Sequence, residues 1–303
     1  MKIIFMGTPD FAVPSLQILL ENGYDIVGVV TATDKQGGRK GTMQSAVKQF
    51  AVSRGLHVLQ PEKLKNPEFI NELQALNADL QIVVAFRMLP EIVWAMPRLG
   101  TMNLHGSLLP RYRGAAPIHW AVINGETETG CTTFLLKHEI DTGDILMSEK
   151  FAIGENDTTG EVHDKMMHIG ANLVLQSVRA LETGNVQPQP QATLKATHAP
   201  KLFQETCKID FSKAVAEVHN QVRGLSPFPT AWTMLKGHLL KIYKTSKTLI
   251  INTPPSVTEE NWETDGKNYL RFRCADGFID VLELQLEGKK RMDIKSFLNG
   301  YKF

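Results

Sequence analysis

Over its first eighty-odd residues the chain alternates short β-branched runs with segments of helical period. KIIFMG, DIVGVVTAT, HVLQ and LQIVVAF are separated by PSLQILLENG, QSAVKQFAVSRG and PEFINELQALN. That alternation predicts a parallel sheet wrapped by helices, and the apolar runs are continuous enough for strands covered on both faces. A helix over about 158–182 follows, with Val162, Met166, Ile169, Leu173 and Val174 on one stripe. The segment GNVQPQPQATLKATHAPK, broken by three prolines, then reads as an extended linker. Beyond it an amphipathic helix, SKAVAEVHNQVRGL, precedes strand candidates TAWTML, HLLKIYKTS, YLRFRCADG and FIDVLELQLE, the pattern of a small β-barrel. The expected organisation is an α/β domain over 1–188, a linker over 189–208 and a barrel domain over 209–303.

Composition narrows the function classes. Thirty-three basic against 32 acidic residues leave a net charge of +1, so bulk charge does not hold the chain to a polyanion and any such site must be regional. Cys131, Cys207 and Cys274 are few and widely spaced, which suggests neither a disulfide framework nor a thiolate metal site and fits a reducing cytoplasm. The apolar start is too short for a signal peptide, and LQIVVAFRMLPEIVWAMP is interrupted by charge and proline well short of a membrane span. Nothing in the sequence calls for an obligate protein partner.

In open parallel sheets ligands bind beyond the carboxyl ends of the strands, so residues that follow strands carry the chemistry. The first such loop, MGTPDF, lacks the GxGxxG pattern, which argues against a nicotinamide cofactor. The richest stretch is TMNLHGSLLPRYRGAAPIHW, where Asn103 and His105 leave a strand on the same face. An amide can donate to a carbonyl oxygen that becomes negative, and an imidazole can move protons near neutral pH; together they suit acyl transfer. Asn-x-His alone is a common structural pairing. The apolar SLLPRYRGAAP beside it looks like a ligand wall. Asp141 and Asp144, in DTGD after another strand candidate, offer a carboxylate to orient the imidazole, or equally a turn closed on its own backbone. No HxxxH or HxH spacing supports a metal, and no GxSxG elbow makes Ser107 a nucleophile.

Asn103-x-His105, SLLPRYRGAAP and the DTGD at Asp141 resemble the signature of the folate-dependent formyltransferases, and GTPDFAVPSL and RGLSPFPTAW extend the likeness over nearly the whole chain. The second motif lies in a C-terminal part that resembles the branch of the family acting on an aminoacyl-tRNA. The resemblance implies a Rossmann-like N-terminal domain, an OB-like C-terminal barrel, and 10-formyltetrahydrofolate as donor to the methionyl group of initiator tRNA, a step of translation initiation. It implies that Asn103 holds the formyl oxygen, that His105 shuttles the proton, and that Asp141 orients His105. It also implies folate contacts from Ser107, Leu108, Leu109 and Pro110, with the pterin between them and the loop Phe86, Arg87, Met88 and Leu89. Family members usually carry tyrosine and glycine where this chain has Phe86 and Arg87. The loop DKQGGRKGTMQ matches a basic loop that meets tRNA in the family, which makes Arg39 and Lys40 candidate contacts; by composition it is also an ordinary solvated loop. From Asp210 onward 14 basic residues face 11 acidic ones, and Lys236, Lys241, Lys244, Lys289, Lys290 and Arg291 fall in or beside strand candidates. Such lysines either line a solvated face or track phosphates. The rival expectations are a formyltransferase acting on a small amine, such as a sugar nucleotide or glycinamide ribonucleotide, and a non-catalytic RNA-binding protein.

Overall fold

The structure, a computed structural model, describes residues 1–37, 41–249 and 261–301. They divide into two compact units, each discontinuous along the chain. The first comprises Met1–Gly114, Gly130–Phe151 and His163–His198; the second comprises Ala115–Thr129, Ala152–Val162 and residues from Ala199 onward.

The first unit is built on seven strands: β1 (Lys2–Gly7), β2 (Asp25–Val30), β3 (Val58–Leu59), β4 (Leu80–Val84), β5 (Thr101–His105), β6 (Glu128–Leu135) and β7 (Ile145–Ala152), in the order β7-β6-β5-β4-β1-β2-β3. From β3 to β5 the ladders are parallel, as the alternation of elements requires. β1 is central, and Ile3, Ile4, Phe5 and Met6 are all buried, which explains its unbroken apolar run. Helices α1 (Val13–Glu21), α2 (Ala46–Ser53) and α3 (Pro67–Ala75) make the crossovers. Ser45 caps α2 by accepting from the Lys48 amide, and Asn66 caps α3 by accepting from the Glu68 amide with proline at the first helical position.

Strand order reverses between β1 and β4, which opens a crevice at their carboxyl ends. β6 departs from the parallel pattern. It runs antiparallel to β5, with Asn103 opposite Phe134 and His105 opposite Thr132. The segment joining them holds the two-residue strand Arg113–Gly114 and the short helix α4 (Pro117–Ile123), which sequence patterning did not reveal. A long helix, α5 (Thr159–Thr183), supplies the cover for β5 from its first-unit portion: a Cβ on Gly170 would fall 2.8 Å from the Leu104 side chain.

The second unit carries an antiparallel, OB-like sheet of β8 (Ala231–Leu235), β9 (His238–Leu249), β10 (Trp262–Thr264), β11 (Leu270–Cys274) and β12 (Gly277–Leu286), ordered β8-β9-β12-β11-β10, with Met292–Asp293 paired to β12. Helix α6 (Val215–Leu225) packs its apolar side into that sheet; Val215, Val218, Val222 and Leu225 join Ile242, Phe272, Ile279 and Leu284 in one core. Buried Arg223 donates to the Gly154 and Asp157 carbonyls, tying residues 152–162 into the same unit. No described helix is long and apolar enough to cross a membrane.

Candidate active site

β5 alternates strictly. Met102 and Leu104 turn into the core, while Asn103 and His105 share the opposite face at the carboxyl end of the strand. Val84 is in register with Leu104, so the turn after β4 leaves the sheet beside the same end. Asn103 is half-buried, and among the described residues its amide has no hydrogen-bond partner. Its polar atoms are not among the fully buried ones left without a partner, so water or a ligand can reach them.

His105 is 6% exposed, and its two ring nitrogens have different neighbours. Nε2 lies 2.9 Å from the Tyr112 carbonyl oxygen. A carbonyl only accepts, so Nε2 carries a hydrogen and Nδ1 is the nitrogen free to take up or release a proton. Nδ1 faces the Asp141 carboxylate at 3.7 Å, near enough for electrostatic attraction to an imidazolium yet beyond hydrogen-bond length. The other claim on that carboxylate is the backbone amide of Gly114, which donates to Asp141 Oδ2 at 2.8 Å. Both flanking groups sit on unusual backbone: Tyr112 has φ +58° and Asp141 φ +55°.

The strand-end loop of Asp141 is shaped by close packing. A Cβ on Gly143 would lie 1.6 Å from the Leu135 carbonyl oxygen, so no side chain fits there. Asp144, the second acid of the motif, turns away to an ion pair with Lys137 at 2.7 Å. Ser107 is fully buried and donates to the Arg111 carbonyl, which commits its hydroxyl to closing the loop. Thr132 completes that loop by donating to the Ser107 carbonyl and accepting from the Leu109 amide. Leu108 and Pro110 are half-buried and Leu109 buried, and the Leu108 side chain packs against Gly130 of β6. Cys131, next to Thr132, has its thiol pushed up to about 12 by burial, with Glu149 adding to the effect; it supplies no thiolate at neutral pH.

A cavity of about 470 Å³ opens beside Asp141, lined by Trp94, Arg113, Lys137, His138, Glu139, Thr142 and Gln191. The Trp94 and His138 rings meet edge to face at 5.5 Å on its wall. The loop Phe86–Leu89 behaves differently. Phe86 packs into the core beside α3, the Arg87 guanidinium donates to the Glu62 and Pro61 carbonyls, and Met88 is exposed. Arg87, Met88 and Leu89 line a separate groove of about 700 Å³ with Leu64, Ile70 and Ile92. His105 and Asp141 are therefore brought together, with Asn103 on the same strand face as His105; neither they nor residues 107–110 line the 470 Å³ cavity, and the Phe86–Leu89 loop opens on a separate groove.

Arg39 and Lys40 lie outside the described residues. In the second unit Arg291 is paired with Glu283 at 2.6 Å, whereas Lys241, Lys244, Lys289 and Lys290 form no ion pair among the described residues. Lys236 lies over the Trp262 ring at 5.6 Å. Residue patterning missed Gln191 and the Tyr112 carbonyl. A glutamine in a proline-rich stretch carries no signal, and a backbone carbonyl has none to carry. Among the described residues no group of three or more His, Cys, Asp or Glu side chains is placed to hold a metal ion.

Residues 1–178 match the family model described as "Formyl transferase", and residues 201–302 match "Formyl transferase, C-terminal domain". The methionyl-tRNA formyltransferase of Bacteroides fragilis is 52% identical over 313 residues, covering 99% of this chain and 95% of that protein. The enzyme of the same name from Phocaeicola vulgatus is 54% identical over 314 residues, covering 100% and 96%. Among solved structures, the N-formyltransferase from Helicobacter canadensis, in complex with folinic acid and dTDP-3-aminofucose, superposes with a TM-score of 0.69. It is 22% identical, with 93% of this chain and 98% of that chain covered.

Proposed function

The chain belongs to the methionyl-tRNA formyltransferases, and from that membership we propose that Asn103, His105 and Asp141 carry formyl from 10-formyltetrahydrofolate to the methionine amine of initiator tRNA. The enzyme formylates methionyl-tRNA with a folate-type donor. The observation that carries the residue assignment is a partnerless Asn103 amide on one strand face with a His105 whose Nδ1 edge faces Asp141.

The amine nitrogen bonds to the formyl carbon, the carbon's bond to the folate nitrogen breaks, the amine gives up one proton and the folate nitrogen takes one. As the carbon becomes tetrahedral its oxygen gains charge, and Asn103 donates to it with no competing partner to release first. The proton passes through Nδ1 of His105, because Nε2 is occupied by the Tyr112 carbonyl. Asp141 faces the imidazolium that forms and has its own geometry fixed by the Gly114 amide. The folate is assigned to the Ser107–Pro110 segment and the Phe86–Leu89 loop, as the family likeness implies, and not to the 470 Å³ cavity, whose lining holds none of these residues. For the acceptor, Arg39, Lys40 and the unpaired lysines of the second unit are assigned to tRNA phosphates and unpaired bases.

The test is transfer of labelled formyl to methionyl-tRNA, compared with uncharged tRNA and with glycinamide ribonucleotide. Turnover on methionyl-tRNA alone is expected, and His105→Ala should lower kcat by roughly 10² to 10⁴ with little change in KM. Inertness toward methionyl-tRNA would refute the acceptor, and an unchanged kcat in His105→Ala would remove that residue from the chemistry.

A further inference from the structure

We propose that Gln191 is a positioning residue for formyl transfer, acting through Asp141; this rests on the assignment of Asp141 made above. Gln191 lies in the proline-rich stretch that leaves α5, far in sequence from every residue of the site. Its side chain nevertheless joins both loops that flank His105. Nε2 donates to the Asp141 carbonyl at 2.9 Å and to the Gly143 carbonyl at 2.8 Å. Oε1 accepts from Arg113 Nε at 3.0 Å and from its terminal nitrogen at 2.6 Å. All four hydrogen-bonding directions of one amide tie the 141–143 loop to the 113–114 segment.

The same segment holds the far end of Asp141, since the Gly114 amide donates to its carboxylate. Asp141 is thus gripped at its backbone by Gln191 and at its side chain by Gly114, and the grip closes through Arg113. A non-glycine residue at φ +55° needs such support, because the left-handed region is disfavoured for it. The neighbouring Thr197 works alike on the other flank of His105: its hydroxyl accepts from the Tyr112 amide at 2.8 Å, beside the carbonyl that holds Nε2.

The choice of amide over acid is informative. Charge alone would put glutamate opposite Arg113, which has no carboxylate partner among the described residues. A glutamate accepts from Arg113 but cannot donate to two carbonyls, whereas glutamine does both. The requirement met at position 191 is therefore that of the Asp141 loop.

Three variants test this in the full chain: Gln191→Leu, Gln191→Glu and Asp141→Asn/Gln191→Leu, measured beside Asp141→Asn alone. Gln191→Leu should lose on the order of 10- to 100-fold in kcat, the scale of a small displacement of a catalytic group, with KM for methionyl-tRNA and donor within about threefold. Gln191→Glu keeps the volume and the Arg113 partner, so it folds as a control, and should lose as much because its carboxylate meets two carbonyls. In the Asp141→Asn background, adding Gln191→Leu should cost less than about threefold more. Full activity in Gln191→Glu, or losses that multiply in the double variant, would overturn the positioning role. An unchanged kcat in Asp141→Asn would instead overturn the assignment of Asp141 itself.

Discussion

Replacing Asn103 by alanine separates the chemistry of the site from its architecture. The side chain is half-buried, has no hydrogen-bond partner among the described residues, and sits on β5, whose ladder with Val83 and Phe134 runs through the backbone. Truncation therefore breaks no protein hydrogen bond and leaves none of its neighbours unsatisfied. The change in folding free energy should stay within about 1 kcal/mol, and for a unit of this size that moves Tm by no more than roughly 2–4 °C. Catalysis should respond on another scale. Removing one preorganised donor to a developing oxyanion typically raises the barrier by about 3–4 kcal/mol, or roughly 10² to 10³ in kcat, while ground-state affinity for the donor changes little. Single-turnover formyl transfer under saturating substrates and a thermal melt of the same sample provide the two numbers. A kcat within threefold of the parent would refute the oxyanion role. A Tm drop of 6 °C or more together with lost activity would show that Asn103 is structural after all.

Gly143→Ala should both destabilise the protein, by roughly 2–4 kcal/mol, and abolish most turnover, since the new Cβ would sit 1.6 Å from the Leu135 carbonyl and the loop bearing Asp141 must move; a chemical denaturation midpoint equal to the parent's would contradict the packing. His219 is buried with Nδ1 on the Thr245 hydroxyl, and its pKa is lowered below 6.5 by burial first, then by Lys247 and Arg223, against an opposing pull from Glu155. Below pH 6.5 the unfolded chain binds a proton that the folded chain refuses, so stability is fully present above that pH and declines as pH falls toward the folded-state value. His219→Leu should flatten this decline between pH 7.5 and about 5.5; parallel urea midpoints for parent and variant over that window would exclude His219 as its source.

The fold was legible because its signals are periodic and local. KIIFMG announces a strand buried on both faces, and the spacing of Val215, Val218, Val222 and Leu225 announces the helix that covers the second sheet. The antiparallel turn of β6 and the edge strand β7 were hidden, because neither has a helix-length crossover or a continuous apolar run to mark it. The candidate site residues were legible for a different reason: Asn103, His105 and Asp141, each open to a structural reading alone, stand out through the motifs they share with SLLPRYRGAAP and DTGD. What fixes them was not. The Tyr112 carbonyl, the Gly114 amide and the Gln191 amide act through backbone atoms or through an unremarkable residue whose neighbours lie 48 to 78 positions away in sequence.

The same non-locality bears on how acceptor choice can be tested. Chain order invites a cut at about 209, leaving the α/β half to be assayed on small amines. The compact units do not divide there, because residues 115–129 and 152–162 pack with the C-terminal part. Arg223 satisfies the Gly154 and Asp157 carbonyls, the Thr159 hydroxyl donates to the Gly224 carbonyl, and Gly224 lies so close to Ile123 that a Cβ would come within 2.4 Å of it. Removing residues 209–303 strips those partners from segments that remain, stranding buried carbonyls and an apolar helix face. A truncated chain that lost activity would then report on stability as much as on tRNA. Acceptor selectivity is better resolved in the intact chain, by charge-reversing Lys241, Lys244, Lys289 and Lys290, which form no ion pair among the described residues and leave the core untouched.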